Sequence, residues 1–322
     1  MAHHDVFNGD ADGICALQQL RLAQPREARM VTGVKRDIAL LQRVAAQGGD
    51  TVTVLDVSLH RNRAALERLL AQGVRVEYFD HHHAGDVPTH SLLQAHIPPP
   101  LGMCTILIVH RHRDGRHRRW AIAGAFGDNM PALAEALGRA DGLGPGELRT
   151  LRALGEAINY NAYGDTESDL LVPPAELARC LRPFADPLAF AAQEPIARAL
   201  MSRQQEDLAR ALAVAPQREL GGARVVVLPD AAWARRAQGV LGNLLSQRDP
   251  ARAHAVLRET GQDAYLVSVR APQRDPRGAD ALCLRFATGG GRASAGGIDW
   301  LPQAEIEVFV QALAQAWPAP AE

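Results

Sequence analysis

Asp10 and Asp12 stand one residue apart, and this spacing makes them the first residues in the chain that point to chemistry. They lie between a short apolar strand signal at residues 5–7 and a segment at residues 14–22 that reads as a helix. Two carboxylates at such a strand-to-helix turn cannot both be buried without a cation, which suggests a metal site. Many solvated turns carry the same Asp-x-Asp-Gly pattern, so the pair alone does not establish one.

Similar polar groups follow the next predicted strands, at residues 51–55 and 74–79. The first strand is followed by Asp56, and the second by Asp80, His81 and His82. A short strand at residues 30–34 and helices at 37–47 and 62–72 complete an alternating pattern, which predicts a mostly parallel sheet. Because ligands bind beyond the carboxyl ends of such strands, we expect these polar groups to meet at one edge.

A fourth candidate is Asp128, which follows an apolar segment at residues 120–126. Before it, residues 102–112 are apolar, and their spacing fits either a helix or a strand. The basic segment between them, Arg111–Arg119, is able to contact an anion, but a solvated turn is the simpler interpretation.

The remainder of the chain predicts a helical region and a second α/β unit. Apolar spacing is helical over residues 131–212, where the polar segment Asn159–Asp165 either lines a cleft or, more simply, ends a helix. The later strands are predicted at 223–228, 254–258, 264–270 and 281–287, with helices at 234–247 and 302–317. The expected fold class is α/β, with a parallel-sheet domain at 1–130, a helical connector at 131–215 and a smaller α/β domain at 216–322.

A glycine-rich run follows the last predicted strand. Its candidate phosphate-binding residues are Gly289, Gly290, Gly291, Arg292, Ser294 and Gly296. Glycines expose backbone N–H groups that are able to cradle a phosphate, and an arginine is able to grip one bidentately. Hairpins and linkers use the same residues, so the run alone is weak evidence.

Composition narrows the class of protein. The 35 Lys and Arg residues nearly balance the 36 Asp and Glu residues, so no global basic field favours long nucleic acid. Four well-separated cysteines predict a reducing compartment. No secretion signal or membrane-spanning apolar run is visible, so we expect a cytoplasmic protein without a membrane partner.

The order of these motifs resembles the DHH phosphoesterase superfamily with its associated C-terminal domain. That superfamily includes the RecJ nucleases and the smaller NrnA-type oligoribonucleases and cyclic-dinucleotide phosphodiesterases. The resemblance spans nearly the whole chain, from Asp-x-Asp-Gly through Asp-His-His to Gly-Gly-Gly-x-x-x-Ala-Gly. It implies a phosphohydrolase with two Mn²⁺ ions, for which Mg²⁺ or Co²⁺ are possible substitutes, and a possible homodimer.

The resemblance also implies roles for individual residues. The implied metal ligands are Asp10, Asp12, Asp56, His81 and Asp128. His82 corresponds to the histidine that contacts the scissile phosphate, and Asp80 is expected to orient it. The chain departs from the family pattern at two positions. Val6 stands where many members carry a histidine, and Asn8 stands where RecJ-like members carry an additional aspartate. Asn8 is therefore a candidate for supporting the first metal through water, and Arg292 replaces the usual histidine of the glycine loop.

The expected activity is metal-dependent hydrolysis of a short or small nucleotide phosphodiester: a nanoRNA, a linear or cyclic dinucleotide, or a nucleotide 3′-phosphate. Only 5% of the residues are aromatic, which argues against a stacking groove for long single strands. A RecJ-like single-strand exonuclease is the alternative enzyme. A nucleotide-binding regulator with weak catalysis is the alternative from another class.

Overall fold

The computed structural model describes residues 1–98 and 102–318. The chain divides after Gln204 into two compact units. The mixed α/β architecture predicted from the sequence is confirmed, with a parallel sheet in the first unit and a mixed sheet in the second. The three-part division at residues 130 and 215 stays a prediction.

A five-stranded parallel sheet forms the centre of the first unit, in the order β2-β1-β3-β4-β5. Its strands are β1 (His3–Phe7), β2 (Arg29–Val31), β3 (Thr51–Leu55), β4 (Arg75–Phe79) and β5 (Leu93–His96). The edge strand β5 was not anticipated from the sequence, since it is only four residues long and half exposed.

Helices pack on both faces of this sheet and on one another. Those of the first unit are α1 (Ala11–Ala23), α2 (Leu59–Ala71), α3 (Thr105–His112), α4 (Arg118–Gly127), α5 (Pro131–Ala140), α6 (Pro145–Asn161), α7 (Pro174–Leu181) and α8 (Pro187–Gln193), and α9 (Pro195–Ala213) begins before the division at Gln204 and ends after it. Successive strand residues point to opposite faces. Phe79 therefore packs with α1, α3 and α4, whereas Tyr78 packs with α2. The two cores fix the sheet between helical layers.

The second unit contains a six-stranded mixed sheet, in the order β10-β11-β9-β8-β7-β6. Its strands are β6 (Arg218–Glu219), β7 (Ala223–Leu228), β8 (Ala253–Thr260), β9 (Ala264–Arg270), β10 (Gly289–Arg292) and β11 (Ala295–Pro302). Its other helices are α10 (Ala232–Arg248), α11 (Ala279–Cys283) and α12 (Ile306–Ala316). Val226 faces the core beside α10, and Val225 faces the core beside α11 and α12.

The predicted helix at residues 37–47 is wrong, because only a 3₁₀ turn forms there, at Leu40–Arg43. Asn62 on α2 accepts a hydrogen bond from the Leu41 N–H at 3.2 Å and donates to the Ile38 carbonyl at 2.6 Å. Arg68 donates to the carbonyls of Leu41 and Val44. These contacts occupy backbone groups that an α-helix would bond internally.

The predicted strand at residues 281–287 is also wrong, since this region contains α11. Its buried residues Ala279, Leu282 and Cys283 follow a helical spacing. The glycine-rich run after it forms an antiparallel hairpin from β10 and β11. A Cβ on Gly289 would lie 1.7 Å from the Cys283 carbonyl oxygen, so close packing on α11 requires glycine there.

Across residues 1–98 and 102–318, no helix combines the length and the apolar character that crossing a membrane requires.

Candidate metal centre

The candidate site lies where the strand order of the first sheet reverses, between β1 and β3. At this switch point the connections leave the sheet in opposite directions, which opens a crevice beyond the carboxyl ends of the strands. Asp10 and Asp12 follow β1, Asp56 follows β3, and Asp80 follows β4. The predicted convergence of these residues on one sheet edge is therefore a consequence of the topology.

Asp12 lies in the first turn of α1 and is completely buried. Its two carboxylate oxygens accept hydrogen bonds from the backbone N–H groups of Thr105 and Ile106, at 2.7 and 2.6 Å. These groups belong to the first turn of α3, whose N-terminal end favours a negative charge. The start of α3 therefore fixes the orientation of the Asp12 carboxylate.

Asp56 adopts a left-handed backbone conformation with φ of 57°. Its N–H donates to the Phe79 carbonyl at 3.0 Å, and its Oδ1 accepts a hydrogen bond from the Thr105 hydroxyl at 3.2 Å. His81 Nε2 lies 3.4 Å from the same Oδ1. The strained turn thus directs the Asp56 carboxylate toward the residues that follow β4.

Asp128 reaches the site from the C-terminal end of α4 rather than from a strand. Asp12, His81 and Asp128 each offer a ligand atom, and these atoms lie within 4.8 Å of one another. Asp56, His81 and His82 form a second group with the same property. The two groups together contain five of the residues predicted to act at the site, and the ligand atoms of each group lie close enough to share a cation.

Asp80 supports this arrangement through two neighbours. Its Oδ2 accepts a hydrogen bond from the Leu59 N–H at 3.3 Å, at the start of α2. Its Oδ1 lies 2.7 Å from His82 Nδ1, which leaves Nε2 of this half-exposed histidine for a ligand. The contact also raises the pKa of His82 and favours its charged form.

Lys35 is a residue of the site that the motif analysis missed. Its Nζ lies 2.6 Å from Asp10 Oδ2 and 3.1 Å from Asn159 Oδ1, and Asn159 belongs to the polar segment considered above. The same ammonium lies 5.8 Å from the centre of the Tyr163 ring. The available signal was compositional: Lys35 is the only lysine in an arginine-rich chain.

Both polar atoms of the Asn8 side chain form hydrogen bonds within the protein. Its Oδ1 accepts a hydrogen bond from the Asp10 N–H at 3.2 Å, and its Nδ2 donates one to the Lys35 carbonyl at 3.3 Å. Its role toward a metal-bound water stays a prediction. Val6 is completely buried in the core beside α2 and offers no ligand atom.

Other predicted candidates lie outside this cluster. The glycine-rich residues belong to the hairpin of the second unit, where Arg292 is exposed. Their contact with substrate stays a prediction. In the basic segment, Arg118 and Arg119 form ion pairs with Asp141, and Arg119 also pairs with Asp186, which agrees with a structural role.

The site concentrates negative charge in a buried space. Burial, together with the charge of Asp10, raises the pKa of Asp56 to about 6. Burial and the charges of Asp12 and Asp10 raise the pKa of Asp128 to about 7, and Asp12 also has a strongly raised pKa. The pKa of Asp10 is lowered instead. Burial acts to raise it, but the charge of Lys35 and its hydrogen bond to Asp10 have the larger effect. Carboxylate donors suit Mn²⁺ and Mg²⁺, and bound cations would relieve this repulsion.

Thr105→Val removes the hydroxyl that donates to Asp56 but keeps the backbone contact to Asp12. We expect Mn²⁺ affinity to fall by about 10-fold, since partners that orient a ligand contribute about 10–100-fold to affinity. Isothermal titration calorimetry measures the change. Thr105→Ser keeps the hydroxyl and should bind like the wild type. Equal affinity of the valine and serine variants would contradict this role.

Lys35→Met is expected to steepen the pH dependence of Mn²⁺ binding. Without the ammonium, burial raises the pKa of Asp10, so protons compete with metal more strongly at pH 6 than at pH 8. We expect the ratio of dissociation constants at pH 6 and pH 8 to grow by about 10-fold. Lys35→Arg keeps the charge and is the control. A ratio unchanged in the methionine variant would exclude the effect.

No protein-family model matches the sequence, and no curated protein sequence matches it. Solved structures do match. Exonuclease RecJ bound to manganese superposes with a TM-score of 0.64 at 18% identity, over 99% of this chain and 91% of RecJ. The DHH domain of a protein described as a member of a family of ribosomal proteins gives a TM-score of 0.60 at 15% identity, over 98% and 86%.

A pGpG-specific phosphodiesterase, PggH from Vibrio cholerae, is a further match, with a TM-score of 0.55 at 12% identity. The alignment covers 98% of both chains. At these identities the likeness concerns the fold. The chain therefore has the fold of the DHH-domain proteins, and the resemblance drawn from the motifs is confirmed at that level.

Proposed function

We propose that this protein is a metal-dependent phosphoesterase that hydrolyses short or small nucleotide phosphodiesters. The observation that carries the proposal is the convergence of buried carboxylates and two imidazoles at the switch point of the parallel sheet. Asp10, Asp12, Asp56, His81 and Asp128 are the proposed ligands for two Mn²⁺ ions. The matching structures include a nuclease and a phosphodiesterase, which is in keeping with this chemistry.

Bound divalent ions would supply Lewis-acid polarisation of the phosphoryl group and a water of lowered pKa. The protein's own residues hold the metal ligands and His82 in position and keep Asp10 charged. Asp80 holds Nδ1 of His82, so that Nε2 donates to a phosphate oxygen. The N-terminal end of α3 keeps the Asp12 carboxylate in place through two backbone hydrogen bonds. Lys35 keeps Asp10 ionised.

The open space at the site fits a small substrate. A cavity of about 370 Å³ lies beside the acidic cluster, and Lys35, Arg61 and His82 line it. This volume is at the lower end of the range of about 300–1,000 Å³ for small-molecule sites. The cationic residues in its lining are suited to a phosphate group.

A hydrolysis panel tests the proposal. The purified protein is incubated with Mn²⁺, with and without chelator, and with one of four substrates: a labelled RNA dinucleotide, a cyclic dinucleotide, a nucleotide 3′,5′-bisphosphate or a long single-stranded DNA. We expect chelator-sensitive cleavage of a short member while the long strand is spared. Asp56→Asn serves as the inactive control.

Two other outcomes of the panel would each favour a different function. Preferred degradation of the long strand would replace the proposal with the RecJ-like exonuclease. Absence of cleavage across the panel, together with measurable nucleotide binding, would favour a nucleotide-binding regulator.

A further inference from the structure

A second cluster of possible metal ligands lies on the first sheet, outside the site described above. It consists of Glu77 on β4, His96 on the edge strand β5 and His112 at the last position of α3. Each residue offers one ligand atom, and these atoms lie within 4.8 Å of one another. All three residues are half-buried.

The distances in this cluster are too long for hydrogen bonds and suitable for a shared ion. Glu77 Oε1 lies 3.7 Å from His96 Nε2 and 3.6 Å from His112 Nε2. Side-chain hydrogen bonds do not extend this far. Two ligands bound to Zn²⁺ at about 2.0–2.2 Å with near-tetrahedral angles lie about 3.3–3.6 Å apart.

His96 Nε2 supplies an independent observation. This atom is buried, and among the residues that the structure describes it has no hydrogen-bond partner. Buried polar atoms without a partner are uncommon because they lose their hydrogen bonds to water. The His96 ring stacks on Phe79 at a centroid distance of 4.4 Å, which fixes its plane. A cation at the cluster would provide the missing partner.

The surroundings of the cluster carry charges of both signs. His112 is the last residue of α3, and the C-terminal end of a helix carries a partial negative charge. Arg113 directs one guanidinium nitrogen to Gln24 Oε1, at 2.9 Å, and its positive charge also acts on Glu77 and His112. Glu77 and His112 line a cavity of about 420 Å³, which Arg26 and Arg75 also line and which gives an ion a route from solvent.

We propose that Glu77, His96 and His112 form a second, separate cation site that takes Zn²⁺ or a similar transition metal. Two imidazoles and one carboxylate are a known zinc ligand set, and a fourth position remains for water. The ion would join the edge strand β5 to β4 and to the end of α3. His96 also accepts a backbone hydrogen bond from Asp80 at 3.4 Å, so the site lies next to the Asp-His-His segment.

The test counts bound metal and does not depend on catalytic activity. The full chain is equilibrated with Zn²⁺ by dialysis, and metal per chain is measured by mass spectrometry for the wild type, His112→Gln and Glu77→Gln. His90→Gln is the matched control, since His90 is an exposed histidine outside the cluster. We expect each cluster variant to bind about one ion fewer than the wild type, and His90→Gln to bind the same number.

Circular dichroism verifies that each variant is folded, and if one of them is not, the other decides the result. A folded cluster variant with the metal count of the wild type would overturn the proposal. The acidic centre at Asp12 and Asp56 is intact in every variant. The count at this cluster is therefore independent of whether the proposed hydrolase activity is correct.

Discussion

Asp56→Asn is expected to reduce phosphodiester hydrolysis by at least about 1000-fold, because it removes a charged ligand from ions on which the proposed chemistry depends. Asparagine is the informative substitution at this position. The backbone of Asp56 has φ of 57°, a conformation that asparagine adopts readily and that alanine adopts at a cost. Loss of activity in the asparagine variant is therefore attributable to the lost charge.

The same substitution is expected to stabilise the metal-free protein. Asp56 is buried beside Asp10, and its pKa is raised to about 6, so its negative charge opposes folding at pH 8. Removing that charge should raise the melting temperature by several degrees, since about 1 kcal/mol corresponds to about 2–4 °C in chains of about 150–250 residues. Higher stability with lower activity is a recurrent property of active-site carboxylates.

Steady-state kinetics with Mn²⁺ and calorimetry in the presence of chelator measure the two effects. Asp86→Asn is the matched control, because Asp86 is exposed and lies outside the cluster, so both quantities should keep their wild-type values. Near-normal turnover of Asp56→Asn would rule out the proposed role of this carboxylate.

The acidic cluster is expected to destabilise the metal-free protein increasingly as the pH rises from 5 to 9, and Mn²⁺ is expected to relieve this destabilisation. The raised pKa values of Asp56 and Asp128, about 6 and about 7, mean that the folded protein retains protons that the unfolded chain has released. Stability therefore falls as the pH passes through these values.

His81 acts in the same direction. The pKa of His81 is raised from the ordinary 6.5 to about 9. Burial acts to lower it, but the hydrogen bond to Asp56 and the charges of Asp12 and Asp56 have the larger effect. Its stabilising contribution is complete below pH 6.5 and is lost as the pH rises through about 9. The effects of these carboxylates and of His81 add, so the cluster is expected to destabilise the metal-free protein most at the alkaline end.

Melting temperatures with chelator and with saturating Mn²⁺, measured at pH 6 and pH 8, test this expectation. The increase on adding Mn²⁺ should be larger at pH 8, because ligands that bind only the folded state stabilise it and protons compete with metal at pH 6. An equal increase at both pH values would contradict the linkage between the acidic cluster and the metal. Asp56→Asn should reduce the difference.

The parallel arrangement and the sheet edge at which the acidic residues meet could be predicted from the amino-acid sequence. Asp56 and Asp80 each follow a compact apolar strand, and parallel strands place their carboxyl ends at one edge. Short-range patterns of this kind carry enough information because strand alternation and glycine-rich turns are local properties.

Local patterns were insufficient where tertiary contacts compete with them. Residues 37–47 have a helical pattern, yet Asn62 and Arg68 bind the backbone groups that a helix would use. The apolar residues of α11 follow a helical spacing over only five residues, which is too short for the pattern to separate helix from strand.

The hydrogen-bond partners of the acidic residues could not be predicted in this way, because they come from distant parts of the chain. Lys35 meets Asp10 across 25 positions of sequence, and the start of α3 meets Asp12 across 93. The cluster of Glu77, His96 and His112 likewise joins two strands and a helix. No periodicity encodes such distant pairs, because they depend on how the packed layers place whole elements beside one another.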